Sequence, residues 1–168
     1  MTPPRQSRIL MDTNAIAAAV AVNQWNNLKQ NYKIETVSKC VEEALRPNRK
    51  GQVLVNLPED KFINGIVVHD VGERMRFELR RLGVPDLDAG EEDLLAYART
   101  QVDYWWLCGP DRAAVRALHS IGMLDRSVSL ERLIKNYMRK GKLPSFDEVQ
   151  TEVWLSRFRM QLQLDSSR

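Results

Sequence analysis

The sequence predicts an α/β fold with a central parallel sheet, helices on both faces and a helical extension at its C-terminal end. Three observations lead there. Short apolar runs alternate with stretches of helical period. Two of those runs end in a turn that carries an aspartate. The chain has 168 residues, 43% of them apolar, enough for one domain with a proper core. The expected division is a single domain over 1–168, with its core at about 8–133 and the extension at about 134–168.

Residues 8–11, Arg-Ile-Leu-Met, read as a first short strand, and 15–28 as a helix with Trp25 and Leu28 on one face. A second strand is expected at 32–35. A helix over 36–45 follows, its Val37, Val41, Ala44 and Leu45 sharing a face, and Pro47 with Asn48 stops it. Residues 47–65 are rich in Pro, Gly, Asn and charge and read as a loop insertion with a small strand at 52–56. An amphipathic helix is predicted over 69–82, with Met75, Leu79 and Leu82 inward, four arginines outward and Gly83 as its stop. Residues 91–100 form the next helix. The uncharged, aromatic 104–108 is the most strand-like segment, and a helix opens at Asp111. An edge strand at 125–129, a helix at 130–138 and a last helix capped at 145–148 complete the pattern, with Phe146, Val149, Val153 and Trp154 as its apolar face.

Net charge is only +3, from 25 basic and 22 acidic side chains, with a sequence pI of about 9.0. The distribution says more than the sum. Residues 86–93 hold five acids in eight positions, while Arg132, Lys135, Arg139, Lys140 and Lys142 cluster near the C-terminus. Such clusters suit a protein that binds a cation and a polyanion together, or they are two solvated faces. Cys40 and Cys108 form no Cys-x-x-Cys unit and sit in apolar contexts, as reduced core residues of a cytoplasmic protein do. The longest apolar stretch, 15–22, falls far short of a membrane span, and the first residues lack the apolar core of a signal peptide. His69 and His119 are isolated, too few for a histidine metal site, and are expected at the surface or in packing.

The candidate functional residues are carboxylates. Asp12 directly follows the first strand, at the sheet edge where open α/β folds place their chemistry. An aspartate there also serves as a helix cap, although Asn14 offers an alternative cap. Glu43 borders the buried face of its helix, where a carboxylate needs a partner or a cation, whereas Glu42 lies further toward solvent. Asp93, with Glu91 as an additional candidate, falls in a first helical turn, where acids also complement the helix dipole. Asp111 repeats the arrangement of Asp12 after the 104–108 strand. Four carboxylates brought together repel and raise one another's pKa unless a cation neutralises them. The expected cofactor is Mg²⁺ or Mn²⁺, hard ions with oxygen ligands that activate water and stabilise the leaving oxygen of a phosphodiester. Thr13 or Asn14 would position a water or a phosphate oxygen.

At these residues the chain resembles the PIN-domain family of ribonucleases, whose best-known members are toxins of bacterial and archaeal toxin–antitoxin pairs. Ile9-Leu10-Met11-Asp12-Thr13-Asn14 is similar to the family's first strand with its Asp-Thr-Ser/Asn end. Val41-Glu42-Glu43-Ala44-Leu45 is similar to the second acidic motif, and Gly90-Glu91-Glu92-Asp93-Leu94-Leu95-Ala96 to the Gly-Glu-x-Glu/Asp helix start. Leu107-Cys108-Gly109-Pro110-Asp111-Arg112-Ala113 is similar to the fourth motif, except that Gly109 and Pro110 replace the usual Thr and polar residue. The match runs from about residue 8 to 133; the insertion after Pro47 and the helices beyond about 143 lie outside a minimal PIN domain. The resemblance implies a three-layer α/β/α fold, Mg²⁺- or Mn²⁺-dependent cleavage of RNA with Asp12, Glu43, Asp93 and Asp111 as metal-holding catalytic residues, and frequent homodimers. An antitoxin protein contacting the C-terminal helices is a further partner the family admits. The alternative is a PIN-like domain that has lost catalysis and binds RNA or protein. Haloacid dehalogenase-type phosphatases place a second aspartate where Asn14 stands, so that mechanism lacks its acid/base residue.

Overall fold

Three of the four residues of β1 (Arg8–Met11) are wholly buried, because the strand has a neighbour on each side. β2 (Lys33–Val37) pairs with it in parallel, Ile9 opposite Ile34, and β4 (Trp105–Cys108) pairs on the other edge, Ile9 opposite Trp106. β3 (Val67–His69) adds beyond β2 with Val67 opposite Glu35. The computed structural model describes residues 1–109, 111–138 and 140–166. Among them the sheet is four-stranded and parallel, in the order β3-β2-β1-β4.

β1 and β4 each feed two cores, which is why 9–11 and 105–108 are continuously apolar rather than alternating. Ile9, Met11, Ile34, Trp106 and Cys108 face one core, which α1 (Thr13–Ala21), α2 (Trp25–Asn31) and α8 (Leu130–Tyr137) cover with Ile16, Leu28 and Leu133 among others. Leu10, Trp105 and Leu107 face the other, closed by Leu79 of α5 (Glu73–Arg80), Leu94 and Leu95 of α6 (Ala89–Arg99) and Leu118 of α7 (Arg112–Ser120). At roughly 25 cal/mol per Å² of apolar surface, these two cores are the main stabilising contribution. α3 (Ser38–Leu45) reaches both, through Val41 and Ala44 on one side and Cys40 on the other. The C-terminal helix α9 (Glu152–Asp165) builds a third, smaller cluster in which Trp154, Leu155 and Phe158 pack on Val115 and Leu124.

Several expected elements differ. The 15–28 helix is two helices, broken where Asn23 adopts a φ of 56°, a conformation that asparagine tolerates better than most residues. No strand forms at 52–56; Val55 is instead buried with its N–H donating to the Ala44 carbonyl at 3.0 Å. A short helix, α4 (Glu59–Ile63), follows and presses Phe62 against Trp25. The segment expected to open a helix at His69 ends β3, since β-branched Val67 and Val68 suit an extended edge and the helix starts only at Glu73. Of the four arginines expected to point outward, Arg76 turns instead to the buried Asp93 of α6, while Arg80 stays exposed and pairs with Glu92 at the surface. Residues 125–129 hold a 3₁₀ turn (Leu124–Arg126) and one bridge, Ser127 to Leu107, instead of an edge strand. The last helix is capped by Thr151 rather than at 145–148, so Val149 and Val153 are exposed. Among the described residues no helix is long and apolar enough to cross a membrane.

Candidate functional site

The strand order decides where chemistry can sit. The chain leaves β1 toward β2 and β3, then returns to β4 on the opposite side of β1, so a crevice opens beyond the carboxyl ends of β1 and β4. Asp12 stands there. Its N–H donates to the Cys108 carbonyl at 3.2 Å, and its Oδ1 accepts from the Ala15 N–H at 2.7 Å, so Asp12 itself caps α1 and Asn14 does not. The second carboxylate oxygen faces Gly109, where an added Cβ would stand 3.4 Å from it and cover it.

Thr13 brings in the second acid. Its hydroxyl donates to Oε2 of Glu43 at 3.1 Å and lies 3.3 Å from the Cys40 carbonyl, tying α1 to α3. Glu43 also reaches the start of α6, where a Cβ on Gly90 would meet its Oε2 at 2.6 Å. Only glycine lets this carboxylate approach the start of α6. That helix opens with a capping box: Asp88 accepts from the Glu91 N–H at 2.8 Å and Glu91 accepts from the Asp88 N–H at 3.2 Å.

Asp12, Glu43, Asp88 and Glu91 therefore line one cavity of about 240 Å³, with Thr13, Asn14, Cys40 and Leu54 completing its wall. Asp12, Glu43 and Glu91 form no ion pair among the described residues. Burial, reinforced by the negative charges of Glu91, Asp88 and Asp111, pushes Asp12 up to about 8 despite the hydrogen bond from Ala15. Burial and the same kind of repulsion, from Asp88 and Asp111, push Glu91 up to about 7. Glu43 is raised as well, chiefly by burial. Burial disfavours the charged form of all three, and neighbouring negative charges add to it. The thiols are no nucleophiles: burial drives Cys40 up to about 12 and raises Cys108 strongly.

Of the residues predicted from sequence, Asp12 and Glu43 share the cavity, and so do Thr13, Asn14 and Glu91. Asp111 lies beside it. It caps α7 through the Ala113 N–H at 2.6 Å, lines the adjoining hollow, and contributes its charge to Asp12 and Glu91. Asp93 is elsewhere. Two residues after Glu91 means about 200° round the helix, and there Arg76 of α5 grips it through both Nε and Nη2, the latter at 2.9 Å. Asp88 is the cavity acid that the sequence reading passed over, although Asp88-x-x-Glu91 is a legible capping-box signature. Pro110 of the fourth motif and Arg139 of the basic cluster lie outside the described residues.

The donor set consists of hard oxygens with no ion-pair partner among the described residues, which fits a divalent cation such as Mg²⁺ or Mn²⁺. The acids are not preassembled on a common point: among the described residues no group of three or more His, Cys, Asp or Glu side chains could hold a metal ion as placed. Each is held by its own hydrogen bond, Asp12 to Ala15, Glu43 to Thr13 and Glu91 to Asp88. Comparison with known family models, with curated proteins and with solved structures finds no match.

Proposed function

We propose that this chain is a metal-dependent endoribonuclease with a PIN-like three-layer fold. The observation that carries the reading is the shared cavity: beyond the carboxyl end of β1 it gathers carboxylates from the starts of α1 and α6 and from α3, and among the described residues none of them is in an ion pair. Asp12, Glu43, Glu91 and Asp111 are the residues that would hold Mg²⁺ or Mn²⁺, with Glu91 in the place that sequence alone gave to Asp93. Held by these residues, a cation would supply positive charge against the scissile phosphate and lower the pKa of a water for in-line attack. The protein's own residues do the positioning. Asp12 is fixed by the start of α1, Thr13 orients Glu43, and Asp88 orients Glu91.

The test compares two neighbouring acids. With single-stranded RNA and Mg²⁺ or Mn²⁺, the wild type is expected to cut, and Asp12→Asn and Glu91→Gln to lose at least about a hundredfold in rate, some 2.7 kcal/mol of barrier. Asp93→Asn is expected to keep its rate at equal folded concentration. Absence of metal-dependent cleavage by the pure wild type removes the reading. A second reading, a PIN-like module that binds RNA without cutting it, is favoured by the acids' lack of a preassembled metal group. Binding without cleavage in the same assay selects it.

A further inference from the structure

The acid cavity borders a second hollow of about 610 Å³, and Asn14 and Leu54 stand in the walls of both. Its floor is the small-residue face of α1, including Ala17 and Ala21, and its far wall comes from the C-terminal extension through Gln150 and Trp154. Arg112 stands at the rim, its guanidinium 5.7 Å from the centre of the Phe158 ring. The volume falls in the range of small-ligand pockets, roughly 300–1,000 Å³.

Gln150 is the residue that packing alone does not explain. It is 5% exposed, and its buried Oε1 has no hydrogen-bond partner among the described residues. A buried amide without a partner destabilises a fold, and methionine would fill the same space without that penalty. We propose that the hollow holds a nucleobase of single-stranded RNA, with the Gln150 amide meeting the base edge and Arg112 the adjoining phosphate. This rests on the ribonuclease reading above. An amide carries both donors and an acceptor, as base edges do, and Arg suits phosphate oxygens. Single-stranded RNA follows because only an unstacked base can be splayed into a pocket with this wall. The shared wall of Asn14 and Leu54 sets such a base beside the acid cavity.

The experiment uses the full chain in an Asp12→Asn background, which keeps the α1 cap while stopping hydrolysis. A fluorescein-labelled short single-stranded RNA of mixed sequence is titrated in Mg²⁺ and followed by anisotropy. Adding Gln150→Met is expected to weaken binding about tenfold while the melting temperature holds or rises. Adding Ala21→Trp, at an exposed position that fills the hollow, is expected to weaken it by at least as much. Unchanged affinity in both variants overturns the proposal, as does a fall in melting temperature for Gln150→Met with binding intact. Wild-type cleavage combined with unaffected binding in both variants rejects the base pocket and leaves the ribonuclease standing. A chain that neither cuts nor binds RNA rejects both.

Discussion

Glu35 in β2 and Asp12 just past β1 are both nearly wholly buried, at 7% and 4% exposure, and the fold treats them in opposite ways. Glu35 is surrounded. It accepts from Arg8 Nε and Nη2 at 2.6 and 3.0 Å and from the Tyr97 hydroxyl at 3.1 Å, and His69 Nε2 lies 2.8 Å away with its ring stacked on Tyr97. Burial pushes its pKa up, but these partners outweigh burial and hold it below the ordinary value. Burial, reinforced by acidic neighbours and offset only by one N–H from its own helix, raises the pKa of Asp12 to about 8. A buried acid that only stabilises is given donors. One left short of them, in a cavity at the carboxyl edge of a sheet, marks a candidate functional site.

The largest expected effect tests the paired side. Arg8→Ala leaves Glu35 buried with its main partner gone and should cost about 3 kcal/mol, read from the urea midpoint. A neutral result would mean that His69 and Tyr97 suffice. The unpaired side should respond with the opposite sign. Asp12 binds a proton more tightly folded than unfolded, so the stability it contributes is present below its ordinary value of 3.8 and is lost as pH rises toward about 8. Asp12→Asn removes that loss and keeps the cap, and at pH 8 it should stabilise by about 2 kcal/mol, roughly 5 °C in melting temperature. The gain should shrink toward pH 4. Gly90→Ala tests the approach of Glu43. Its stability effect should be small, within about 1 kcal/mol, because the carboxylate can swing aside and alanine favours a helix. Cleavage should nonetheless fall about tenfold as Glu43 leaves the cavity.

The sheet was legible because the apolar runs at 9–11 and 105–108 have no charge to place in water and are buried on both faces. Asp12 was legible because a strand end fixes its position by itself. Helix phase was harder. Glu91 and Asp93 sit in one acidic run, and choosing between them needs the knowledge that Arg76 from α5 waits on the Asp93 side. The 67–69 strand was hidden because its reason is tertiary: β2 offers an open edge, and His69 reaches Glu35. The wall that Gln150 and Trp154 lend to the hollow was equally hidden, since the start of α9 depends on Thr151 and on packing against Val115 rather than on the capping signal at 145–148.

Calorimetric titration of the chain with Mn²⁺ across pH 6 to 9 tests the central claim most directly. The protons held by Asp12 and Glu91, with pKa values of about 8 and 7, must leave as a cation enters. Saturable binding is therefore expected to tighten with rising pH, to release protons detectable as a buffer-dependent heat, and to vanish in Asp12→Asn and Glu91→Gln but not in Asp93→Asn. Absent binding, or binding indifferent to Asp12 and Glu91, would contradict the assignment of this cavity as a cation site.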